Sequence, residues 1–474
     1  MASPQRPALF AGMSLLHVAI TGRDKRHLAA LGPKLRVVVV GYREDKHGAV
    51  VDAYINSDKV DWLERKGYGV TRLEAIDAPD RERQAEERAA VRRRLRQGRY
   101  GDVIWGGGYL SADEVEKAMV LGEQNHGRYF ERIPLPNLTW EKRRCHAFRI
   151  GKGNGRRRPA LCFIGGVHGR EWGGSDILIY FAMRLLRAYR DGKGFKLGRK
   201  SVSPALVRRL IETMDIIVLP LVNPDGRKFS MDRHPFWRKN RRPAPRGQGF
   251  RSIGVDLNRN FPFLWRFDRH FAPGTVESTH KPGDYETYVG PRPASEPETR
   301  NVIWLLDRFP NIRYYVDLHS YGETILYSWG SDDNQSDDPR MNFRNPAFDG
   351  KRGRILDDVY REYIPEADRR TAVEMGRHMA AAIRLVRRRE YKVKQSVGLY
   401  PTAGSSDDYA YSRHWVDRKK GKLIAFTIEW GRTHASTPFH PPYPEMRKVM
   451  REVSAGLLAL CLRALKQRGN GARK

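Results

Sequence analysis

Between residues 109 and 474, short apolar runs alternate with amphipathic stretches, and no other feature limits the possible folds of this chain as strongly. "PALCFIGG", "DIIVLPLV", "RYYVDLHS" and "LIAFTIEW" read as strands. Between and after them, "SDILIYFAMRLLRAYR", "PETRNVIWLLDRF", "TAVEMGRHMAAAIRLVRR" and "EMRKVMREVSAGLLALCLRALKQ" read as helices. That alternation predicts an α/β domain: a central mixed sheet flanked by helices on both faces, with any site built on the polar loops at the carboxyl ends of its strands. In "SADEVEKAM", Ser111 and Glu114 have capping-box spacing and mark the start of a helix. The polar stretch 331–352 reads as a surface insertion.

The preceding segment has another rhythm. "LLHVAI", "DKRHLAAL", "LRVVVV", "AVVDAYI", "DKVDWLERKG" and "VTRLEAI" follow the order βαββαβ, which predicts a small ferredoxin-like α+β domain over residues 1–78. Residues 79–108 read as a charged helical linker with five arginines between Arg92 and Arg99, a region open to proteolysis if exposed. At 474 residues and 40% hydrophobic content, the chain can support one large domain, 109–474, and this smaller one.

Lysine and arginine (87) exceed aspartate and glutamate (55), giving a formal charge of +32. Such a field attracts anionic partners, but no stacking or groove-reading motif accompanies it, so nucleic acid is not an expected partner. The three cysteines, Cys145, Cys162 and Cys461, are too few and too far apart for a disulfide framework or thiolate-held zinc, and read as core residues. There is no apolar run of about 18 residues to span a membrane. The first residues lack the charged start and cleavage pattern of a signal peptide, so a cytoplasmic protein is the default expectation.

Polar residues gather at the strand ends. In "GGVHGREWGG", His168 and Glu171 have the H-x-x-E spacing that lets two side chains converge on one ion. A hydrolytic zinc site takes about three protein ligands, and His319, closing the apolar run "VDLHS", is the best third. Taken singly, the pair reads equally as surface residues and His319 as a satisfied strand-end histidine. Asp256 in "GVDLNRNFP" is the type of carboxylate that accepts a zinc histidine's second N–H. Asn258 and Arg259 beside it can grip a carboxylate, or serve only as a turn asparagine and a surface arginine. "NPDG", from Asn223, is a turn signature. Arg238 follows Trp237; a guanidinium near a ring and aimed into a cleft stabilises an oxyanion, whereas one on an open loop is merely solvated. Glu429, in the apolar run "AFTIEWG", either faces water or has a function. Tyr400 lies in "GLYPTAGSSDDYAYS", a glycine- and serine-rich loop able to move.

"GVHGREW", "NPDG", "WRKNRR", "GVDLNRNFP", "SEPET", "DLHSYG", "LYPTAGSSDDYAYS" and "FTIEWG" occur in an order that resembles zinc metallocarboxypeptidases of the carboxypeptidase A/B type (M14), over about residues 109–460. The resemblance implies one Zn2+ per chain held by His168, Glu171 and His319, with Glu429 as the general base toward the zinc-bound water. It implies Arg238 as oxyanion stabiliser, Asn258, Arg259 and Tyr400 as holders of the substrate's terminal carboxylate, and Arg170 along the approach to more distant subsites. The implied partners are peptide or protein C-termini. Asp407 falls where the family varies the floor of its side-chain pocket, which implies a leaning to basic or mixed C-terminal residues; the bland alternative is a turn cap. Residues 15–99 resemble the family's activation domain and its cleaved linker, implying intramolecular inhibition. Two alternatives are a peptidase of the same fold acting on cell-wall peptides or acidic protein tails, and an inactive basic binding protein.

Overall fold

A computed structural model describes residues 15–23, 27–28, 38–45, 48–56, 59–75, 89, 108–153, 158–249, 252–284, 286–355, 357, 359–432 and 438–471. The chain divides into two compact units, one holding the first four strands and the helix between the third and fourth, the other the rest of the named elements. In the first, β1 (Leu15–Thr21), β2 (Val38–Asp45), β3 (Gly48–Asn56) and β4 (Gly69–Ala75) pair antiparallel in the order β2-β3-β1-β4. Helix α1 (Val60–Arg65) joins β3 to β4, and β1 lies between those two strands, as a split βαβ arrangement requires. Val18, Ile20, Ala53, Ile55 and Leu63 make its small core. The helix expected over 24–31 is described only at His27 and Leu28, and the linker helix of 79–99 lies outside the described residues except at residue 89.

The second unit carries β5 (Phe130–Leu138), β6 (Arg144–Ile150), β7 (Ala160–Gly165), β8 (Phe195–Leu197), β9 (Lys200–Val202), β10 (Asp215–Leu219), β11 (Ile312–Ser320), β12 (Thr324–Tyr327), β13 (Asn334–Gln335), β14 (Glu362–Tyr363), β15 (Lys392–Gln395) and β16 (Ile424–Trp430). Eight of them form one mixed sheet in the order β15-β12-β16-β11-β7-β10-β6-β5. The four centre strands, β16, β11, β7 and β10, run parallel to one another. Antiparallel contacts to β12 on one side and β6 on the other make the sheet mixed. The centre strands coincide with the four apolar runs of the sequence: every residue of β7 and β10 is buried. Removing a ring from such a strand, as in Phe163→Ala, costs about 3–5 kcal/mol through lost transfer energy and the cavity left behind.

Helices α2 (Ala112–His126), α3 (Gly173–Arg190), α4 (Pro204–Thr213), α5 (Pro224–Asp232), α6 (Pro297–Arg308), α7 (Glu366–Arg387), α8 (Ser406–Val416) and α9 (Tyr443–Gly471) flank this sheet. Helix α2 opens on the expected capping box: Ser111 Oγ accepts from Glu114 N, and the Glu114 carboxylate accepts from Ser111 N at 2.9 Å. Helix α7 packs on α9, and α9 on α3. All three cysteines are free and buried.

Three local expectations need correction. "SSDDYAYS" is helix rather than mobile loop, because Ser406–His414 are buried against β11 and β16 as the first turns of α8. "NPDG" starts a helix: Asn223 Oδ1 accepts from Gly226 N at 2.8 Å while Pro224 occupies N1, where its missing N–H is harmless. The 331–352 segment is anchored rather than laid on the surface throughout, for Ser331, Asp332 and Arg352 are buried. Among the described residues no helix is long and apolar enough to cross a membrane.

Candidate active site

Because the centre strands are parallel, their carboxyl ends share one edge of the sheet, and the polar residues singled out in the sequence collect there. His168 and Glu171 follow β7, Asn223 follows β10, and His319 and Glu429 are the penultimate residues of β11 and β16. His319 and Glu429 are register partners on those adjacent strands. The loop after β7 is drawn tightly onto its neighbours. Gly166 has φ +66°, and a Cβ on Gly169 would lie 2.6 Å from the Gly226 backbone, so glycine is needed at both. Asn223 Nδ2 donates to the carbonyls of Val167 (3.1 Å) and Lys239 (3.2 Å), and Gly169 N donates to the Arg238 carbonyl (2.9 Å). These bonds lash the histidine loop to the arginine loop.

Three donor groups converge here: His168, Glu171 and His319 each offer a ligand atom, all within 4.8 Å of one another, and all three residues are buried. His168 Nδ1 lies 2.7 Å from Glu171 Oε1, and His319 Nδ1 lies 3.0 Å from Glu171 Oε2 and 3.1 Å from His168 Nδ1. Ser320 N donates to Glu171 Oε2 at 3.2 Å. Burial alone would raise the Glu171 carboxyl, but the two imidazoles hold it far below the usual carboxylate range. Burial alone would lower His319, but the carboxylates of Asp317 and Glu171 hold its pKa well above the ordinary histidine value. Two imidazoles and a carboxylate are the donor set of hydrolytic zinc sites.

Asp256 sits behind His168, with Oδ1 3.2 Å from His168 Nε2 and accepting from Asn258 N at 3.0 Å. Its Oδ2 accepts from Arg238 Nε (3.0 Å) and Nη2 (2.9 Å). Burial would raise Asp256, but Arg238 and His168 outweigh it and keep the group ionised far below the usual range. Arg238 Nη1 comes 3.4 Å from His168 Nδ1, so its guanidinium faces the cluster of His168, Glu171 and His319. The ring stacking considered for Arg238 belongs to another residue: Arg241 lies 3.8 Å from the centre of the Phe229 ring and 5.0 Å from that of Trp237.

Arg259 is 3% exposed; its Nη1 donates to the Asn258 carbonyl at 2.9 Å, its Nε has no acceptor, and it forms no ion pair among the described residues. Its guanidinium lies 5.9 Å from the centre of the Tyr400 ring. Asn258 Oδ1 accepts from Ser406 N at 2.8 Å, which leaves the Asn258 amide nitrogen as a donor. Asp407, in the first turn of α8, accepts from Ser396 Oγ (3.2 Å), Thr427 Oγ1 (3.1 Å) and Asp408 N (2.9 Å). Arg170 is buried: Nη1 donates to Glu286 Oε1 at 2.9 Å, and the guanidinium lies 4.6 Å from the centre of the Phe439 ring. Glu429 is pushed up to about 8, first by burial and then by Glu171 and Asp317, against the pull of His319 and Arg238. A cation bound beside it would lower that value.

Three participants escaped the sequence reading. Asp317 Oδ2 lies 3.0 Å from His319 Nε2 and accepts a short hydrogen bond from Ser406 Oγ. A signal was present: in "VDLHS" the spacing of two puts Asp317 and His319 on one face of a strand. For Glu286 and Phe439, the partners of Arg170, no local pattern pointed the way.

A zinc carboxypeptidase sequence profile matches residues 136–456. Mouse carboxypeptidase A4 is 28% identical over 292 residues, 61% of this chain and 55% of that protein, and bovine carboxypeptidase O is 25% identical over 325 residues, 68% and 70%. Metallocarboxypeptidase A of Trichophyton tonsurans is 33% identical over 183 residues, 38% of each chain, so this chain matches about half or less of the length of several such relatives. In fold it is similar to carboxypeptidase A from Helicoverpa armigera, with a TM-score of 0.69 at 19% identity over 96% of this chain and 98% of that one. It is likewise similar to thrombin activatable fibrinolysis inhibitor, with a TM-score of 0.67 at 19% identity over 96% and 99%. With the profile spanning more than half of the sequence, the chain belongs to the zinc carboxypeptidase family.

Proposed function

We propose that this chain is a zinc-dependent metallocarboxypeptidase that removes the C-terminal residue of peptides or proteins, leaning to lysine and arginine. Arg259 supports this reading most directly: it is a buried guanidinium with an unanswered N–H and no salt bridge among the described residues, three positions after Asp256. A chain end brings a carboxylate to such a group, and a mid-chain amide leaves it unpaired. Zinc, when held by His168, Glu171 and His319, supplies Lewis acidity toward a carbonyl oxygen and toward water.

The remaining work falls to the chain's own residues. Arg259 and the Asn258 amide grip the terminal carboxylate, with Tyr400 over the guanidinium. That grip sets the scissile carbonyl between Arg238 and Glu429. Arg238, held by Asp256, donates to the oxygen as negative charge develops on it. Glu429 takes a proton from the attacking water and returns it to the departing amine. Asp407, anchored by Ser396 and Thr427, receives the cationic side chain of the C-terminal residue, which is the ground for the basic preference. The ferredoxin-like unit is read as an intramolecular inhibitor and the arginines from Arg92 to Arg99 as its cleavage region.

Peptides ending in Lys, Arg, Phe, Leu and Glu, each as free acid and as C-terminal amide, test the reading. The expected result is hydrolysis of free acids only, fastest for Lys and Arg, lost after chelation and restored by Zn2+, and raised by limited trypsin digestion. Comparable cleavage of the amides would overturn the exopeptidase reading, and a Phe preference unchanged by Asp407→Ala would overturn the basic pocket.

A further inference from the structure

We infer that Asp317 is a positioning residue for His319 and thereby a determinant of metal affinity; the inference rests on the reading of His168, Glu171 and His319 as zinc ligands. Asp317 and His319 stand two residues apart on β11, on one face of the strand, and are 0% and 2% exposed. His319 turns Nδ1 toward Glu171 and His168, so a metal bound through that atom leaves the ring proton on Nε2. In this sealed surrounding that proton needs a partner, and the Asp317 carboxylate stands closest, its Oδ2 3.0 Å away in an ion-pair contact rather than an aligned hydrogen bond. A carboxylate there holds the ring in the tautomer whose Nδ1 lone pair faces the metal, and raises the basicity of that lone pair.

Each metal-ligating histidine is thus backed by its own aspartate, but the two pairs differ. Asp256, behind His168, also binds the Arg238 guanidinium through Oδ2, and that cation offsets its charge. Asp317 contacts the His319 ring and the Ser406 hydroxyl, and no lysine or arginine among the described residues forms an ion pair with it. Its charge therefore acts on His319 without a competing cation, so its loss weakens metal binding more than loss of the Asp256 charge. Ser406 fixes Asp317 in place: while its hydroxyl donates to the carboxylate, its backbone N–H donates to Asn258 Oδ1 at 2.8 Å. The same serine thereby joins the support of His319 to the amide that grips the substrate carboxylate.

Zinc affinity measured by competition with a chromophoric chelator, on the full chain, tests this without recourse to activity. Asp317→Ala should bind zinc about 10–100-fold more weakly. Asp317→Asn keeps an oxygen beside Nε2 but lacks the charge, so it should fall between Asp317→Ala and the native chain; this near-isosteric variant decides the matter if the alanine variant does not fold. The melting temperature of the metal-free Asp317→Asn protein should match that of the metal-free native protein. Zinc affinity of both Asp317 variants within about twofold of native, with His319→Ala having lost zinc, would overturn the inference and leave the ligand reading standing. Native-like zinc affinity in His319→Ala would instead bring down the ligand reading itself.

Discussion

Two clusters of buried charge in the larger unit look alike in composition and differ in arrangement. At the carboxyl edge of the sheet stand His168, Glu171, His319, Asp256 and Arg238; within the 331–363 segment stand Asp332, Glu362 and Arg352, with the less buried Asp349 beside them. Both contain strongly shifted groups: Glu429 at the first is pushed up to about 8, and Asp332 and Glu362 at the second to about 7, in each case foremost by burial. A perturbed carboxyl is therefore no mark of a site by itself. In the second cluster the groups are engaged with their own segment. Arg352 donates to the carbonyls of Phe348 (3.1 Å), Asn342 (3.2 Å) and Asn345 (3.1 Å) and to Asp349 (3.1 Å). Glu362 accepts from Tyr360 Oη at 2.8 Å and Ser331 Oγ at 3.2 Å, and Asp332 from Gly353 N at 2.6 Å. At the sheet edge, three ligand atoms point at one another instead. Donors converging on a common point distinguish chemistry from scaffolding, because only an added group can satisfy them together.

Substitutions should separate the two clusters in opposite directions. The largest effect is expected for His319→Ala: peptide hydrolysis should fall by about 10⁴-fold with zinc lost, since the metal's contribution of several kcal/mol disappears. Residual activity within about tenfold of native, measured as kcat/KM with zinc content determined in parallel, would break the comparison at its functional side. Glu429→Gln should lower kcat by about 10²–10⁴-fold while leaving zinc bound, the signature of a lost proton shuttle. Arg352→Met should do the reverse, lowering unfolding free energy by about 3–5 kcal/mol by leaving buried carboxylates unpaired, with kcat/KM of the folded fraction unchanged. Denaturant titration beside kinetics checks both halves of that statement. A smaller effect, about 1–3 kcal/mol in relative kcat/KM, is expected for Asp407→Ala on peptides ending in Lys against those ending in Leu.

The finest distinction is one of pH. Glu362 has its pKa raised in the folded state, so the stability it supports is full below the ordinary carboxylate range and is lost as pH rises through about 7. The native chain should melt lower at pH 8 than at pH 5.5, and Glu362→Gln should show a smaller drop. An unchanged drop in differential scanning calorimetry would mean that Glu362 is not the buried proton carrier its surroundings imply.

How far the sequence reached depended on how local the controlling physics was. Strands β7, β10, β11 and β16 were legible because a strand buried on both faces is apolar throughout. Strand β5 was not, since it alternates buried and exposed residues and carries Pro134 and Pro136; β12 and β15 have four residues each, too short for any period to show. The start of α8 reads as a loop in the sequence because its residues are small and polar, whereas packing against β11 and β16 decides its helicity.

Contiguous chemistry was the sequence's own to determine: the H-x-x-E pair of His168 and Glu171, the Ser111–Glu114 cap, the apolar centre strands and the order of motifs that signals the family. Tertiary structure alone decided which distant groups meet. His168 and His319 are 151 positions apart and approach to 3.1 Å only because β7 and β11 are neighbours in the sheet. The packed loops likewise bring Asp256 to His168 and Arg238 to Asp256, pairings that no local pattern fixes. A strand's apolar pattern states that it is buried; which strand lies beside it is set by the packing of the whole sheet, and no stretch of residues encodes that by itself.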